Sequence, residues 1–291
     1  MSEPLVFSKY QGTGNDFVMV VDLEDRRPLG PAEVAALCDR RTGVGADGVI
    51  RLVATSGGGA ALFMDYANAD GSVAEMCGNG IRCVGALAHD RGLVDGPAFD
   101  VATRAGVKHL ELDVGGDGAV RSVTVGMGSA DFTKASIPMR GPAWETFLGQ
   151  PFEIGPEMTL TASAVSMGNP HLVLFVEDDP ARYHVPHIGP ALEHHDLFPE
   201  GTNVEFARVH GDRIDVRVWE RGSGETMACG SGACAVAVAA NEAGLASARV
   251  TIRFPGGDVE VERGDDGGVR LTGPAAHVFD GRVDLEALAR P

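Results

Sequence analysis

Two short stretches of the chain carry the same arrangement of chemistry-bearing residues: MCGNGIRC at 76–83 and MACGSGAC at 227–234. Each sets a cysteine, a glycine, a polar residue and a second glycine ahead of a run of small and apolar residues. If those runs are helices, Cys77 and Cys229 stand at their N-termini. Unpaired N–H groups and a partial positive charge there lower a thiol's pKa and hold a carboxylate. An unperturbed thiol has a pKa of about 8.5, so of two such groups one can be thiolate while the other is thiol near neutrality. A carbon acid held between them loses a proton on one face and gains one on the other, which is racemisation or epimerisation. Acyl transfer requires instead one nucleophile, a base and an orienting group.

The elements that must position these cysteines are written twice along the chain. GNDFVMVVD from Gly14 is answered by GNPHLVLFVED from Gly168, with Asn15 and Asn169 standing 154 apart. GVGADGVIRLVA from Gly43 is answered by GTNVEFARV from Gly201, each a glycine turn leading into a strand. ALFMDYANADGS and IDVRVWERGSG set Asn68 against Glu220 at an offset of 152, the offset that also relates Cys77 to Cys229. FDVATRAGVKHLELDV and RVTIRFPGGDVEVE read as hairpins after the helices, whose glycine stops are Gly92 and Gly244. Two homologous halves follow, with a Pro- and Gly-rich connection and boundary near 131–160.

Composition removes several classes of function. A formal charge of −17 leaves no basic stripe for nucleic acid or an anionic membrane. No apolar run approaches the roughly 20 residues of a membrane span, and MSEPLVFSKYQ lacks a secretory pattern, so a cytoplasmic protein is expected. Five cysteines, an odd number and few for 291 residues, read as free thiols, with Cys38, Cys83 and Cys234 as packing residues. Spacings C-x5-C and C-x4-C put the second cysteine inside a helix, so no metal site is expected; His194 and His195 are given no metal role either. GVGADG at 43–48 follows a helix-like stretch and precedes a strand-like one, the reverse of a dinucleotide-binding order, and GSGETMACGSG lacks Gly-Lys-Ser/Thr.

Candidate ligands for an amino-acid substrate follow from these landmarks. Backbone N–H groups at Gly78, Asn79, Gly230 and Ser231 are placed for a carboxylate. Glu220, Asn15, Asn68, Asn169 and Asn203 offer acceptors for ammonium groups, and Arg221 can grip a second carboxylate. His171 in GNPHLVLF is read either as tuning a nearby thiol or as packing at a strand start.

KYQGTGNDFVMVVD, ADGVI, NADGSVAEMCGNGIRC, MGNPHLV, GTNVEF, VWERGSGETMACGSGA and FPGG, in that order from residue 9 to about 257, resemble the diaminopimelate epimerase family. The resemblance implies a cofactor-independent isomerase interconverting LL- and meso-diaminopimelate, on the way to lysine and peptidoglycan, with Cys77 and Cys229 as the acid–base pair. It implies that Gly78, Asn79, Gly230 and Ser231 bind the reacting carboxylate, that Asn15, Asn68, Asn169, Asn203, Glu220 and Arg221 hold the amino groups and distal carboxylate, and that His171 and Glu220 adjust the thiols. Where some members carry a substrate-contacting Gln after the GVGxD turn, this chain has Gly48. The implied fold is α/β (α+β): two pseudo-symmetric halves, each a mixed β-barrel-like sheet around a central helix, with the active site in the cleft between them. The halves are expected at 1–131 and 132–276, with the tail 277–291 returning to the first. A homodimer is also implied.

Overall fold

The computed structural model describes residues 3–55, 59–155 and 158–288. The chain divides into two compact units, Met1–Val125 with Gly273–Pro291, and Gly126–Thr272. Both are dominated by strands, with few helices among the described residues.

The first unit contains β1 (Leu5–Gly12), β2 (Asn15–Val21), α1 (Pro31–Cys38), β3 (Gly48–Ala54), β4 (Leu62–Asn68), α2 (Gly78–Asp90), β5 (Ala98–Thr103), β6 (Gly106–Val114) and the start of β7 (Val120–Ser129). β1 pairs antiparallel with β2, which runs parallel to β3; β3 pairs antiparallel with β4, β4 runs parallel to β5, and antiparallel β6 and β7 follow. Parallel neighbours need a crossover, and α1 and α2 supply the two required.

The second unit repeats this order with β8 (Gln150–Gly155), β9 (Met158–Ser166), β10 (Pro170–Phe175), α3 (Val185–Glu193), β11 (Asn203–His210), β12 (Arg213–Glu220), β13 (Gly224–Thr226), α4 (Gly230–Glu242), β14 (Arg249–Phe254), β15 (Gly257–Arg263) and β16 (Gly268–Gly273). β9 pairs antiparallel with β10, which is parallel to β11; β11 and β12 are antiparallel, β12 and β14 parallel, and antiparallel β15 and β16 complete the series. An eighth strand covers the free side of each series: β8 pairs with β9, and β17 (Ala276–Val283) pairs with β1.

The two long helices are buried almost all round. In α2 every residue from Gly78 to Ala88 is buried, and α4 is buried at Gly230 and from Gly232 to Ala240. A helix buried on every side belongs inside a core. α2 packs against β1, β2, β6 and β17, while α4 packs against β9, β10, β11, β14 and β15, so each helix is covered by strands of its own unit. The small residues let the strands approach: a Cβ on Gly85 would lie 3.1 Å from side-chain atoms of Leu110 and Val123.

The Pro- and Gly-rich stretch expected as a connection behaves differently. Ile137, Met139, Phe147 and Phe152 are buried in the core of the second unit, and the stretch forms β8. Its lack of periodicity reflects isolated apolar anchors separated by turns rather than a solvent-exposed linker; residues 156–157 of it lie outside the described residues.

Both long helices stop as the glycines require. Gly92 and Gly244 take φ of 63° and 68° just past the C-caps Arg91 and Ala243. A Cβ at Gly244 would meet no atom within 4 Å, so substitution there tests backbone conformation alone. Gly244→Ala should cost about 1 kcal/mol, seen as a lower urea midpoint at unchanged slope; an unchanged midpoint would contradict this account of the helix end.

Candidate active site

Each repeated cysteine is the N-cap of a long helix. Cys77 (φ −131°, ψ 120°) and Cys229 (φ −130°, ψ 121°) share one backbone conformation. In both, the sulfur accepts the N–H three residues on, Gly80 to Cys77 Sγ and Gly232 to Cys229 Sγ, each at 3.4 Å. The cysteine carbonyls take the first intrahelical bonds, from Ile81 and Ala233. Serine, threonine, aspartate and asparagine are the usual caps, so a sulfur in this place gives up capping strength.

Around Cys77 the polar neighbours are amides and a cation. The thiol donates to Asn15 Oδ1 at 3.6 Å, and Asn79 Nδ2 donates to the same oxygen at 3.3 Å. Asn15 Nδ2 donates in turn to Asp47 at 2.7 Å. Fully buried Arg82 donates to Asn79 Oδ1, to Thr13 Oγ1 and to the carbonyls of Gly78 and Pro274. Thr13 and Gly14 form the two-residue turn between β1 and β2, with φ of 50° and 79°. A β-branched residue with positive φ is strained, and the bond from Arg82 holds it, setting Asn15 where the strand begins.

Asn68, at the end of β4, pairs with Gly48 and bonds within its own turn, to Tyr66 and Ser72. Gly48 answers the sequence departure noted above. A Cβ there would lie 2.7 Å from the Ala67 carbonyl and the Tyr66 ring, so the strand start admits no side chain, glutamine included.

Around Cys229 the neighbours are carboxyls, a histidine and a hydroxyl. Glu220 accepts from Thr226 Oγ1 and acts through its charge on the Cys229 thiol. Ser231 Oγ lies 3.5 Å from Cys229 Sγ and receives Asn169 Nδ2 at 3.3 Å. His171, fully buried, places Nε2 3.0 Å from Asn169 Oδ1 and Nδ1 2.7 Å from Glu205 Oε1. Asn203 lies one strand over, its amide bridging the Pro170 carbonyl and the Arg221 N–H. Exposed Arg221 directs its guanidinium to the Glu200 carbonyl at 3.2 Å.

Within each unit, then, the expected residues cluster: Asn15, Gly78 and Asn79 about Cys77, and Asn169, His171, Glu220, Gly230 and Ser231 about Cys229. Asn203 and Arg221 join the second group through Pro170 and Glu220, whereas Asn68 is fixed within its own hairpin. Four participants escaped the sequence reading: Arg82, Thr13, Asp47 and Glu205. Glu205 left a signal, a lone carboxyl between Val204 and Phe206 where the repeat has Ile50 in an apolar run.

Burial first, then the nearby Glu220 and Glu205 carboxyls, push the Cys229 thiol well above its ordinary pKa, against opposing hydrogen bonds from Ser231 and Gly232. Burial likewise raises the Glu220 and Glu205 carboxyls. Burial also raises the packing cysteines, Cys38 up to about 11 and Cys83 up to about 12.

The family profile described as Diaminopimelate epimerase matches residues 7–133 and 163–278. The chain belongs to that family. A diaminopimelate epimerase of Desulforudis audaxviator is 47% identical over 280 residues, covering 95% of this chain and 98% of that one. Another, from a Synechococcus species, is 46% identical over 292 residues, covering 97% and 99%. Among solved structures, a probable proline racemase from Agrobacterium radiobacter shares the fold at TM-score 0.71 and 14% identity, covering 97% of this chain and 93% of that one. A hydroxyproline epimerase from Agrobacterium vitis does so at TM-score 0.68 and 14% identity, covering 96% and 92%. The two cysteine turns lie inside the two family-matched segments, one in each.

With its pKa raised, Cys229 rests as the thiol and its thiolate fraction grows only at alkaline pH. In the unliganded protein the rate of Cys229 alkylation by iodoacetamide, followed by peptide mass mapping, should still be climbing above pH ~8.5. A plateau reached below that pH would contradict the raised pKa.

Proposed function

We propose that the protein interconverts LL- and meso-diaminopimelate by moving the α-proton between two thiols, without a cofactor, in the supply of lysine and peptidoglycan precursors. The observation that carries this reading is the duplicated cap: two cysteines with the same backbone angles, each at the head of a buried helix, in a chain of the diaminopimelate epimerase family. One thiolate removes the α-proton and the other thiol delivers a proton to the opposite face of the carbon, so configuration inverts.

The first N–H groups of a helix have no intrahelical partner. Those of Gly78 and Asn79, and of Gly230 and Ser231, are assigned to the substrate α-carboxylate, where helix dipoles meet the negative charge that develops as the proton leaves. Asn15, Asn68, Asn169, Asn203 and Glu220 are assigned to the ammonium groups, and Arg221 to the distal carboxylate. The exposed Arg221 guanidinium supports that last role, since its bond to a carbonyl leaves donors to spare. The charge of Glu220 near the buried thiol supports tuning of Cys229 by that carboxyl, and His171 acts through the Asn169–Ser231 chain. The resting thiol of Cys229 supports proton delivery as its first act in the free enzyme.

Five free cysteines support a reducing, cytoplasmic setting. None of the described helices is long and apolar enough to cross a membrane. Exposed Val6, Val278 and Phe279 on the paired strands β1 and β17 support the homodimer.

Cys77→Ala and Cys229→Ala should each lower epimerisation of LL-diaminopimelate by at least ~10²-fold, while proline and histidine remain unconverted by the wild type. Full turnover in either variant, or faster conversion of proline or histidine, would overturn the reading.

A further inference from the structure

The repeat allows each position of the second unit to be compared with its counterpart in the first. On β10 and β11 the register sets His171 opposite Asn203, with Glu205 two residues on. On β2 and β3 it sets Phe17 opposite Gly48, with Ile50 two residues on. A Cβ on Gly80 would lie 2.7 Å from Ile50, and one on Gly232 would lie 2.8 Å from Glu205 Oε1, so the two residues occupy the same place beneath the first turn of the helix. Phe17 and Ile50 are fully buried, as are His171 and Glu205. The fold therefore fills these two positions with apolar side chains in one unit and with an ionisable pair in the other. Burying such a pair costs free energy that an apolar pair does not, so stability does not explain it.

The hydrogen bonds define what the pair does. Asn169 Oδ1 can only accept, so His171 Nε2 carries the hydrogen facing it. Asn169 Nδ2 then donates to Ser231 Oγ, whose own hydrogen is left for the Cys229 sulfur. The donors all point one way, from His171 toward the sulfur. On the other side of the ring, Glu205 Oε1 is 2.7 Å from Nδ1, while Oε2 is buried without any hydrogen-bond partner. An ionised carboxylate with one oxygen buried and unpaired, close to a second carboxyl at Glu220, would be costly.

We propose that Glu205 is a positioning residue for the epimerase reaction: a neutral carboxylic acid whose O–H donates to His171 Nδ1. It thereby fixes the ring so that Nε2–H orients Asn169 and Ser231 toward the Cys229 sulfur. The hydroxyl at the end of this chain meets the sulfur when it has given up its proton. The role rests on the reading of Cys229 as one of the two proton-transfer groups.

Glutamine can make the same donation to Nδ1 through its amide, and isoleucine cannot, which separates positioning from charge and from packing. Glu205→Gln should keep kcat within ~3-fold of wild type, and Glu205→Ile should lower kcat by ~10-fold or more with KM little changed. Infrared difference spectra should show a carboxylic-acid C=O band at neutral pH that E205Q removes. The double variant H171F/E205I, built on the pairing of Phe17 and Ile50, should fold with a thermal midpoint no lower than wild type. Wild-type kcat in E205I, a loss in E205Q as large as that in E205I, no acid band lost in E205Q, or failure of the double variant to fold would each overturn the assignment. The infrared band needs no turnover, so it judges Glu205 separately; full activity in Cys229→Ser would instead sink the reading of Cys229 itself.

Discussion

A sulfur accepting a backbone N–H at the head of a buried helix is the contact on which the rest of the structure depends. It fixes Cys77 and Cys229 in one conformation and holds each thiol beside the helix dipole, with the donating glycine close against Ile50 in one unit and Glu205 in the other. The helix must then be apolar and small-sided, because strands close around it on every side. A stronger oxygen cap would stabilise the helix more but would carry no thiol. Capping strength is given up at both places.

The two units meet this constraint with the same strand order and different electrostatics. Beside Cys77 stand amides and the buried guanidinium of Arg82, which also restrains the strained Thr13 turn. Beside Cys229 stand the Glu220 and Glu205 carboxyls, with His171 bonded to Glu205. The raised pKa of Cys229 is one trace of that difference.

Much of this was legible in the sequence, for identifiable reasons. Glycine turns, strand alternation and the constant offset near 152 gave both helices, their stops at Gly92 and Gly244, and the clustering of Asn15 and Asn79 about Cys77. The stretch at 131–160 was not legible as core, since Ile137, Met139, Phe147 and Phe152 lie too far apart to show a period. Arg82 and Glu205 were hidden because a charged residue inside an apolar run looks like an exposed face until the packing around it is known. Gly48 read as a lost side-chain contact; the structure adds that the Tyr66 ring and the Ala67 carbonyl leave no room for one.

The central claim is that two separate groups handle the proton, one on each face of the carbon. The fate of solvent hydrogen tests it most directly. With LL-diaminopimelate in deuterated water, stopped at low conversion, the meso product should carry deuterium at the inverted α-carbon while the recovered substrate stays unlabelled. Deuterium appearing equally in recovered substrate and product would mean that a single group serves both faces, and would contradict the account.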